Sequence, residues 1–558
     1  MSALPAAGAS PHAPCASPGP RSHFRVRSRH WNGGIFLLLL GLTLRFHNLT
    51  TVLVGGNFYF VDADCYSRLS RVRMVLADPT TPVRQQFFEN WPEGVQSHAT
   101  APLDYLIAGL ERVLHWCWPR SGRLGTLSEL SLDLAGALVS PLLGLALGIF
   151  VWFWARGFRL QDGSRPFWWW AAPLLVAVSP PLVHASVFGR PDHQSLLVLL
   201  LAVGLAAEQR LLQRAALPWA WAGGFCFGLA LWVSLYEPLV LLGGAIAAGV
   251  CFWRHSWTNW VRAHWFAAFA LPVCAGRWID GLQIVFPEGT SMELLQRWGA
   301  TIGELGRIED LAVLSSWGSH LWAAALFGLW LAAWRKGEGA LGWLLLLSLC
   351  TALTLWQLRW APYWSLLLAL SLPLGLSRAG SSPAVGLALF LAFVPVGTEW
   401  NARLFPDAQL RAQRHLDRSE WINARLAAER MRSDEVKPFL AVWWLSPALA
   451  YWSGQPAVAG SGHEGIQGIV DSARFFLSTD PLLAREILRM RRVRTVVASD
   501  SARAVENASQ ILGCTPPGGA LAERLWQPEP GREWGLQGES NVVHFRLLRV
   551  LTDSGLGH

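Results

Sequence analysis

Three short acidic motifs are the chemically most informative feature of this 558-residue chain. Each lies at the end of a hydrophobic segment or in a loop between two such segments. They are Asp62-Ala63-Asp64, Asp192-His193 and Thr301-Ile302-Gly303-Glu304. Two carboxylates at positions i and i+2 can hold a hard divalent cation through oxygen ligands. Because carboxylates beside a bilayer are costly, the motifs predict a metal-binding or reactive site at one face of a membrane.

Each candidate also has a plainer explanation when it is taken alone. The Asp62–Asp64 pair and Glu304 could lie in solvated loops, and Asp192 could cap the helix that follows it. Arg359 lies where two hydrophobic segments meet. It could clamp a phosphate through its planar guanidinium or snorkel to the membrane interface. The site prediction therefore depends on a fold that brings these residues together.

The composition indicates a polytopic helical membrane protein. Hydrophobic residues make up 52% of the chain, charged residues make up 15%, and the mean hydropathy is +0.30. Apolar runs of about 20 residues recur, which is the length of a membrane-crossing helix. We expect about eleven spans, or thirteen if 277–317 hides a further pair. They lie near 34–54, 132–155, 167–184, 194–211, 217–235, 237–253, 262–276, 318–334, 340–357, 361–377 and 383–399.

The distribution of basic residues predicts the orientation. With a cytoplasmic N-terminus, every inside loop is basic, as the positive-inside rule requires. The long segments 55–131 and 277–317 then lie outside, together with all three acidic motifs. The net charge of +8 is scattered over short loops without interleaved aromatics, so nucleic-acid binding is not expected. We expect a location in the inner (plasma) membrane.

The chain divides into three predicted regions. Residues 1–30 are a disordered, basic cytoplasmic segment, 31–399 a transmembrane catalytic domain, and 400–558 a small α/β domain in the periplasm or outside the cell. The last region has charged helical stretches at 404–432 and 481–493. It also has strand-like runs at residues 440–444, 493–498 and 542–548. The external segment 55–131 shows only weak helical periodicity.

Taken together, the acidic motifs resemble those of the oligosaccharyltransferase catalytic subunit family, including its single-subunit bacterial and archaeal members. Asp64 with Tyr66 is similar to the D-x-[YF] element after the first span. Asp192 is similar to the D-x-[DEH] element after the third span, and Glu304 to the T-[IV]-x-E element of the fifth external loop. The resemblance covers about residues 34–500, in matching order and topology.

Further positions extend this resemblance. Arg359 is similar to the family arginine that contacts the lipid-linked pyrophosphate, and His98 resembles a feature of the first external loop. Trp443 and Trp444 match the start of the WWDYG signature, where they imply a role in acceptor binding.

The resemblance implies a fold like that of the C-type glycosyltransferases. It also implies transfer of a glycan from a polyprenyl-(pyro)phosphate donor, held in the membrane lipid, to a protein acceptor. Asp64, Asp192 and Glu304 would be catalytic residues that hold Mg²⁺ or Mn²⁺. The supporting residues would be Asp62, His98, His193 and Gln194.

Two departures bear on the acceptor and the metal. The signature WWDYG reads Trp443-Trp444-Leu445-Ser446-Pro447 here. A leucine side chain cannot accept a hydrogen bond, which puts ordinary Asn-x-Ser/Thr recognition in question. The third position of the second metal motif is Gln194, which offers a carbonyl oxygen in place of a charged ligand.

Two alternatives therefore stay open. One is an enzyme of the same architecture that acts on a hydroxyl, lipid or polysaccharide acceptor. The other is a transporter or a non-catalytic homologue. Transporters usually place polar residues in the middle of the membrane, whereas the polar landmarks here lie at its outer edge.

Overall fold

The computed structural model describes residues 23–96, 101–117, 127–158, 167–213, 216–250, 258–281, 292–335, 339–376, 383–527 and 532–551. Helices dominate the part before residue 405, because a helix satisfies its backbone hydrogen bonds without water. In chain order they are α1 (His23–Arg45), α2 (Leu49–Val52), α3 (Ala63–Ala77), α4 (Ala101–Cys117), α5 (Leu127–Arg156), α6 (Ala171–Val178), α7 (Pro180–His184), α8 (His193–Gln213), α9 (Leu217–Val233), α10 (Tyr236–Val250), α11 (Asn259–Ile279), α12 (Met292–Ala300), α13 (Ala312–Gly318), α14 (Leu321–Trp334), α15 (Ala340–Trp356), α16 (Ala361–Gly375), α17 (Pro383–Leu391) and α18 (Val394–Leu404).

Each predicted span coincides with a helix or with two consecutive helices. Among the described residues, four helical segments are long and apolar enough to cross a membrane: Asn32–Val52, Leu130–Arg156, His193–Gln213 and Val385–Leu404. Shorter apolar helices accompany them. The predicted span 167–184 is divided at Pro180, the first residue of α7, because proline has no N–H to continue the preceding helix.

The two long segments that were predicted to be external contain helices of their own. Segment 55–131, predicted to have little helix, contains α3 and α4. Its helical periodicity is masked because α3 buries charged side chains as well as apolar ones. Arg68 and Arg71 of α3 pair with Asp104 of α4 at 2.8 and 3.0 Å. In 277–317, the described helices α12 and α13 have nine and seven residues, which is too short to span a bilayer.

The first predicted boundary also differs. Helix α1 begins at His23, within the segment 1–30 that was predicted to be disordered. Residues 1–22 lie outside the described part of the chain.

The region after residue 405 is an α/β domain, as predicted. Its sheet has the order β5 (Phe439–Leu440), β6 (Thr495–Ala498), β8 (Phe545–Val550) and β7 (Leu536–Val542). Strands β5 and β6 are parallel, and the other neighbours are antiparallel. Strand β7 was missed, because it lies at the sheet edge and is largely polar. The strands of the chain are β1 (Leu53–Val54), β2 (Asn57–Phe58), β3 (Gln85–Gln86), β4 (Val95–Gln96), β5 (Phe439–Leu440), β6 (Thr495–Ala498), β7 (Leu536–Val542) and β8 (Phe545–Val550). The helices of this domain are α19 (Ala408–Met431), α20 (Ser446–Ser453), α21 (Ile466–Leu477), α22 (Pro481–Met490), α23 (Ser501–Leu512) and α24 (Leu521–Arg524).

Glycines allow helices α9 and α11 to approach closely. A Cβ atom added to Gly224 would overlap the Trp265 carbonyl oxygen, and one added to Gly228 would overlap that of Phe269. Small residues at such positions bring helix backbones together and increase dispersion contacts within a membrane.

We expect Gly228→Val to destabilise the protein by about 1–3 kcal/mol, because the added methyl groups force α9 and α11 apart. The measurement is the melting temperature in detergent. Gly243→Val in α10 is the matched control, since a Cβ at Gly243 meets nothing within 4 Å. Equal melting temperatures for the two variants would contradict the packing argument.

Candidate active site

A tight turn between α7 and α8 carries Arg190 and Asp192. Gly189 opens it with a φ of +78°, a conformation that glycine adopts without strain. Its N–H donates to the Ala137 carbonyl at 3.1 Å, and its carbonyl accepts from the Val61 N–H at 3.1 Å. A side chain at 189 would also collide with Val52, 2.6 Å away. The turn is therefore fixed directly against the residue that precedes Asp62.

The first acidic motif forms the start of α3. Asp62 is the N-cap, and its carboxylate accepts a hydrogen bond from the Cys65 N–H at 3.1 Å. The Tyr66 hydroxyl accepts from the Phe60 N–H at 2.9 Å and so fixes the approach to the helix. Asp64 lies in the first turn of α3. The motif is thus a built helix terminus rather than a solvated loop.

Arg190 is the centre on which the acidic residues converge. Its Nε lies 3.6 Å from Asp62 Oδ2, and its Nη2 lies 3.5 Å from Asp192 Oδ2. Nη2 also donates to Glu304, and Nη1 lies 2.9 Å from His184 Nε2. The Arg190 side chain is only 2% exposed. One guanidinium therefore joins carboxylates from three separate parts of the chain.

Asp192, His193 and Gln194 form one side of this cluster. Asp192 Oδ1 lies 2.6 Å from His193 Nδ1, so the described contacts of the carboxylate go to side chains rather than to a helix cap. Gln194 was expected to offer an oxygen, but its amide N–H donates to Glu304 Oε2 at 3.4 Å. His193 is also near enough to Glu237 for an electrostatic interaction.

Glu304 reaches the cluster from a 3-10 turn, Gly303–Leu305, that follows α12. Backbone hydrogen bonds join this loop to the Arg359 segment: Leu358 N–H to the Gly306 carbonyl at 2.9 Å, and Ile308 N–H to the Leu355 carbonyl at 3.1 Å. Glu304 is therefore held in place by the loop backbone as well as by Arg190.

Asp64 opens into the same cleft. The Ser461 hydroxyl, from the C-terminal domain, hydrogen-bonds to its carboxylate. Burial in the protein, and then the negative charge of Asp62, raise the pKa of the Asp64 carboxyl to about 7. The charges of Asp192 and Glu304 act in the same direction. Four carboxylates thus share one small region.

Arg359 stands at the edge of this cleft, paired with Glu237. Its Nε donates to Glu237, a fully buried carboxylate that also accepts from the Ser234 hydroxyl at 2.7 Å. The Arg359 guanidinium lies 5.6 Å from the centre of the Tyr236 ring. Its side chain is 28% exposed. The arginine is thus fixed by its Nε, while part of its side chain remains exposed.

The tryptophan pair lies in the C-terminal domain beside the Glu304 loop. The Trp443 ring packs edge-on against Trp298 of α12 at 6.0 Å, and its Nε1 donates to Asn507 at 2.9 Å. Trp444 lies under the Arg503 guanidinium at 4.7 Å. Leu445 is 2% exposed and therefore points into the core of the domain. His98, the remaining predicted site residue, lies outside the described residues.

Sequence reasoning missed the two charged partners, Arg190 and Glu237. A signal existed for each. Arg190 lies at the predicted outer side, where the positive-inside distribution makes arginine uncommon. Glu237 begins an apolar run, where an ionisable side chain needs a partner.

Comparison with known proteins supports the fold. No protein-family model matches the sequence, and no curated protein matches it. The oligosaccharyltransferase of Archaeoglobus fulgidus in its apo form aligns with a TM-score of 0.67 and 14% identity, over 90% of this chain and 73% of that one. Its complex with an inhibitory peptide and dolichol-phosphate gives 0.64 and 14%, over 94% and 74%, and its complex with zinc and sulfate gives 0.61 and 14%, over 92% and 72%.

A second similar structure has nearly the same length as this chain. ArnT from Cupriavidus metallidurans, bound to undecaprenyl phosphate, aligns with a TM-score of 0.57 and 13% identity, over 93% of this chain and 98% of that one. The predicted fold class is therefore confirmed: a helical membrane glycosyltransferase-like fold with a C-terminal α/β domain.

We expect Leu445→Asp to destabilise the protein rather than to create an acceptor contact. The new carboxylate would be buried without a partner, at a cost of several kcal/mol. Relative to the wild type, the melting temperature should fall sharply at pH values above the pKa of the new carboxyl, where it is charged. The decrease should be smaller at low pH, where the carboxyl is neutral. Leu445→Met, which preserves volume, is the control. A stable Leu445→Asp protein would show that this position faces a polar space.

Proposed function

We propose that this chain is a membrane glycosyltransferase that takes a glycan from a polyprenyl-(pyro)phosphate donor and transfers it to a protein acceptor. The observation that carries the proposal is the convergence of Asp64, Asp192 and Glu304 in one cleft beside Arg359. The shared fold with A. fulgidus oligosaccharyltransferase and ArnT supports it. We place the protein in the inner (plasma) membrane, with its N-terminus in the cytoplasm and the cleft and C-terminal domain on the outer side.

The donor atoms of the cleft fit a hard divalent cation. They are carboxylate oxygens, which Mg²⁺ and Mn²⁺ prefer. Asp62, Asp192 and Glu304 are turned toward Arg190, and the described residues do not already form a ligand set. We assign Asp64, Asp192 and Glu304 as the ligands. When bound, such an ion would neutralise charge on the departing phosphate.

The protein's own residues supply the rest of the chemistry. Arg359 binds the donor phosphate with the guanidinium nitrogens that Glu237 leaves free, and its fixed charge stabilises the negative leaving group. Glu304 and its loop close one side of the cleft and exclude water from the reacting centre.

The acceptor is the finer part of the proposal. A. fulgidus oligosaccharyltransferase binds a peptide in one of the structures similar to this chain, which favours a protein. The buried Leu445 removes the carboxylate that would read a sequon hydroxyl. Transfer to a hydroxyl, lipid or polysaccharide by the same fold is therefore the second candidate. A transporter or a non-catalytic homologue is the third.

We expect Asp64→Asn and Glu304→Gln to lower glycan transfer on the order of a hundredfold, because each removes a charged group from the reacting centre. Mass spectrometry of glycoconjugates from a deletion strain complemented with each variant provides the measurement. It also identifies whether asparagine, Ser/Thr or a lipid carries the glycan. Glu309→Gln, at an exposed position of the same loop, is the control. Full transfer by both folded variants would refute the site.

We expect Glu237→Gln to raise the donor KM about tenfold with a smaller change in kcat, because Arg359 loses the charge that positions it for binding. Steady-state transfer by purified protein at varied donor concentration measures this. Ser234→Ala removes one hydrogen bond of Glu237 but keeps its charge, so its effect should be smaller. An unchanged donor KM in Glu237→Gln would contradict the role of the Glu237–Arg359 pair in donor binding.

A further inference from the structure

We propose that Arg190 is a built-in counter-cation of the active site, which competes with a divalent metal ion for Asp192 and Glu304. The proposal rests on the metal site assigned above and adds a residue that sets its affinity. Neither the acidic motifs nor the fold comparison requires an arginine at this point.

The position of Arg190 is built rather than incidental. Its side chain is 2% exposed, and its backbone carbonyl accepts a hydrogen bond from the Ser140 hydroxyl. Gly189 fixes the same turn against α5 and the start of the first acidic motif. The backbone of Arg190 is thus anchored and its side chain is enclosed, so the guanidinium charge lies within the cleft.

The charge of Arg190 matches a need of the cleft. Four carboxylates share the region, and the described cation in contact with three of them is this guanidinium. Arginine stays protonated at all physiological pH values, so the compensation is constant. Asp192 is the buried member of this set, and removing the charge of Arg190 from beside a buried carboxylate would be destabilising.

The contacts of Arg190 overlap with the proposed ligand set. Asp192 Oδ2 and Glu304 Oε1 both face Nη2 of the same guanidinium. A divalent ion that uses these oxygens must displace the arginine from them or share them with it, and it must approach a fixed positive charge. Both effects weaken metal binding. In return, the Glu304 loop stays docked when no metal is bound.

The test is Mn²⁺ binding by purified protein, followed by the electron paramagnetic resonance signal of free Mn²⁺. We expect Arg190→Gln to bind Mn²⁺ about tenfold more tightly than the wild type, because one repelling and competing charge is gone. Arg190→Lys, which keeps the charge but cannot bridge three carboxylates, should lie between them. Arg112→Gln, which removes an equal charge from an exposed position of α4, should leave the affinity unchanged.

Amide hydrogen exchange of residues 298–306 gives a second readout. Without metal, this segment should exchange faster in Arg190→Gln than in the wild type, and Mn²⁺ should restore its protection. Arg190→Lys provides the same comparison if Arg190→Gln does not fold.

The outcomes are distinct. Equal or weaker Mn²⁺ binding by Arg190→Gln, with binding still lost in Asp64→Asn, would overturn the competition but keep the metal site. The absence of saturable Mn²⁺ binding in both wild type and Arg190→Gln would overturn both. If Arg190→Gln binds Mn²⁺ more tightly but the wild-type protein transfers no glycan, the role of Arg190 as counter-cation would be supported and the proposed function rejected.

Discussion

The arrangement of the cleft depends on the compensation of clustered negative charge. Asp62, Asp64, Asp192 and Glu304 come from three separate parts of the chain, and their mutual repulsion would drive these parts apart. Arg190 offsets this repulsion, because its guanidinium attracts three of the four carboxylates. The short backbone bridges of Gly189 and Gly306 then hold the same parts at the distances that the ion pairs need.

A second charged pair extends this arrangement along the cleft. Asp192 contacts His193, His193 lies near Glu237, and Glu237 holds Arg359. Negative and positive groups therefore alternate from the carboxylate cluster to the arginine at the rim. In a region of low dielectric constant such alternation is favourable, whereas any single member without its neighbours would be costly. The two arginines have different surroundings: Arg190 is enclosed, and Arg359 remains partly accessible.

The sequence predicted what the bilayer and the core dictate locally. Membrane helices such as α8 and the buried strand β6 follow from runs of apolar residues, because length and hydrophobicity decide both. The periodicity of α3 was not visible, because its buried face includes Arg68, which Asp104 neutralises from another helix. The acidic candidates were chosen from their motifs, but the ion pairs that the structure shows around them were not predicted. Arg190 and Glu304 are far apart in the chain, and no spacing rule connects them.

The contacts of α12 have a consequence for how such a protein can change over time. Trp298 packs on Trp443, and the Arg297 guanidinium donates to the Leu512 carbonyl at 3.0 Å, so the loop that carries Glu304 uses the C-terminal domain as its outer wall. That domain is consequently not an exchangeable module. A chimera with another C-terminal domain would need to preserve the surface that contacts α12. Residues on the two sides of this contact should therefore covary during evolution.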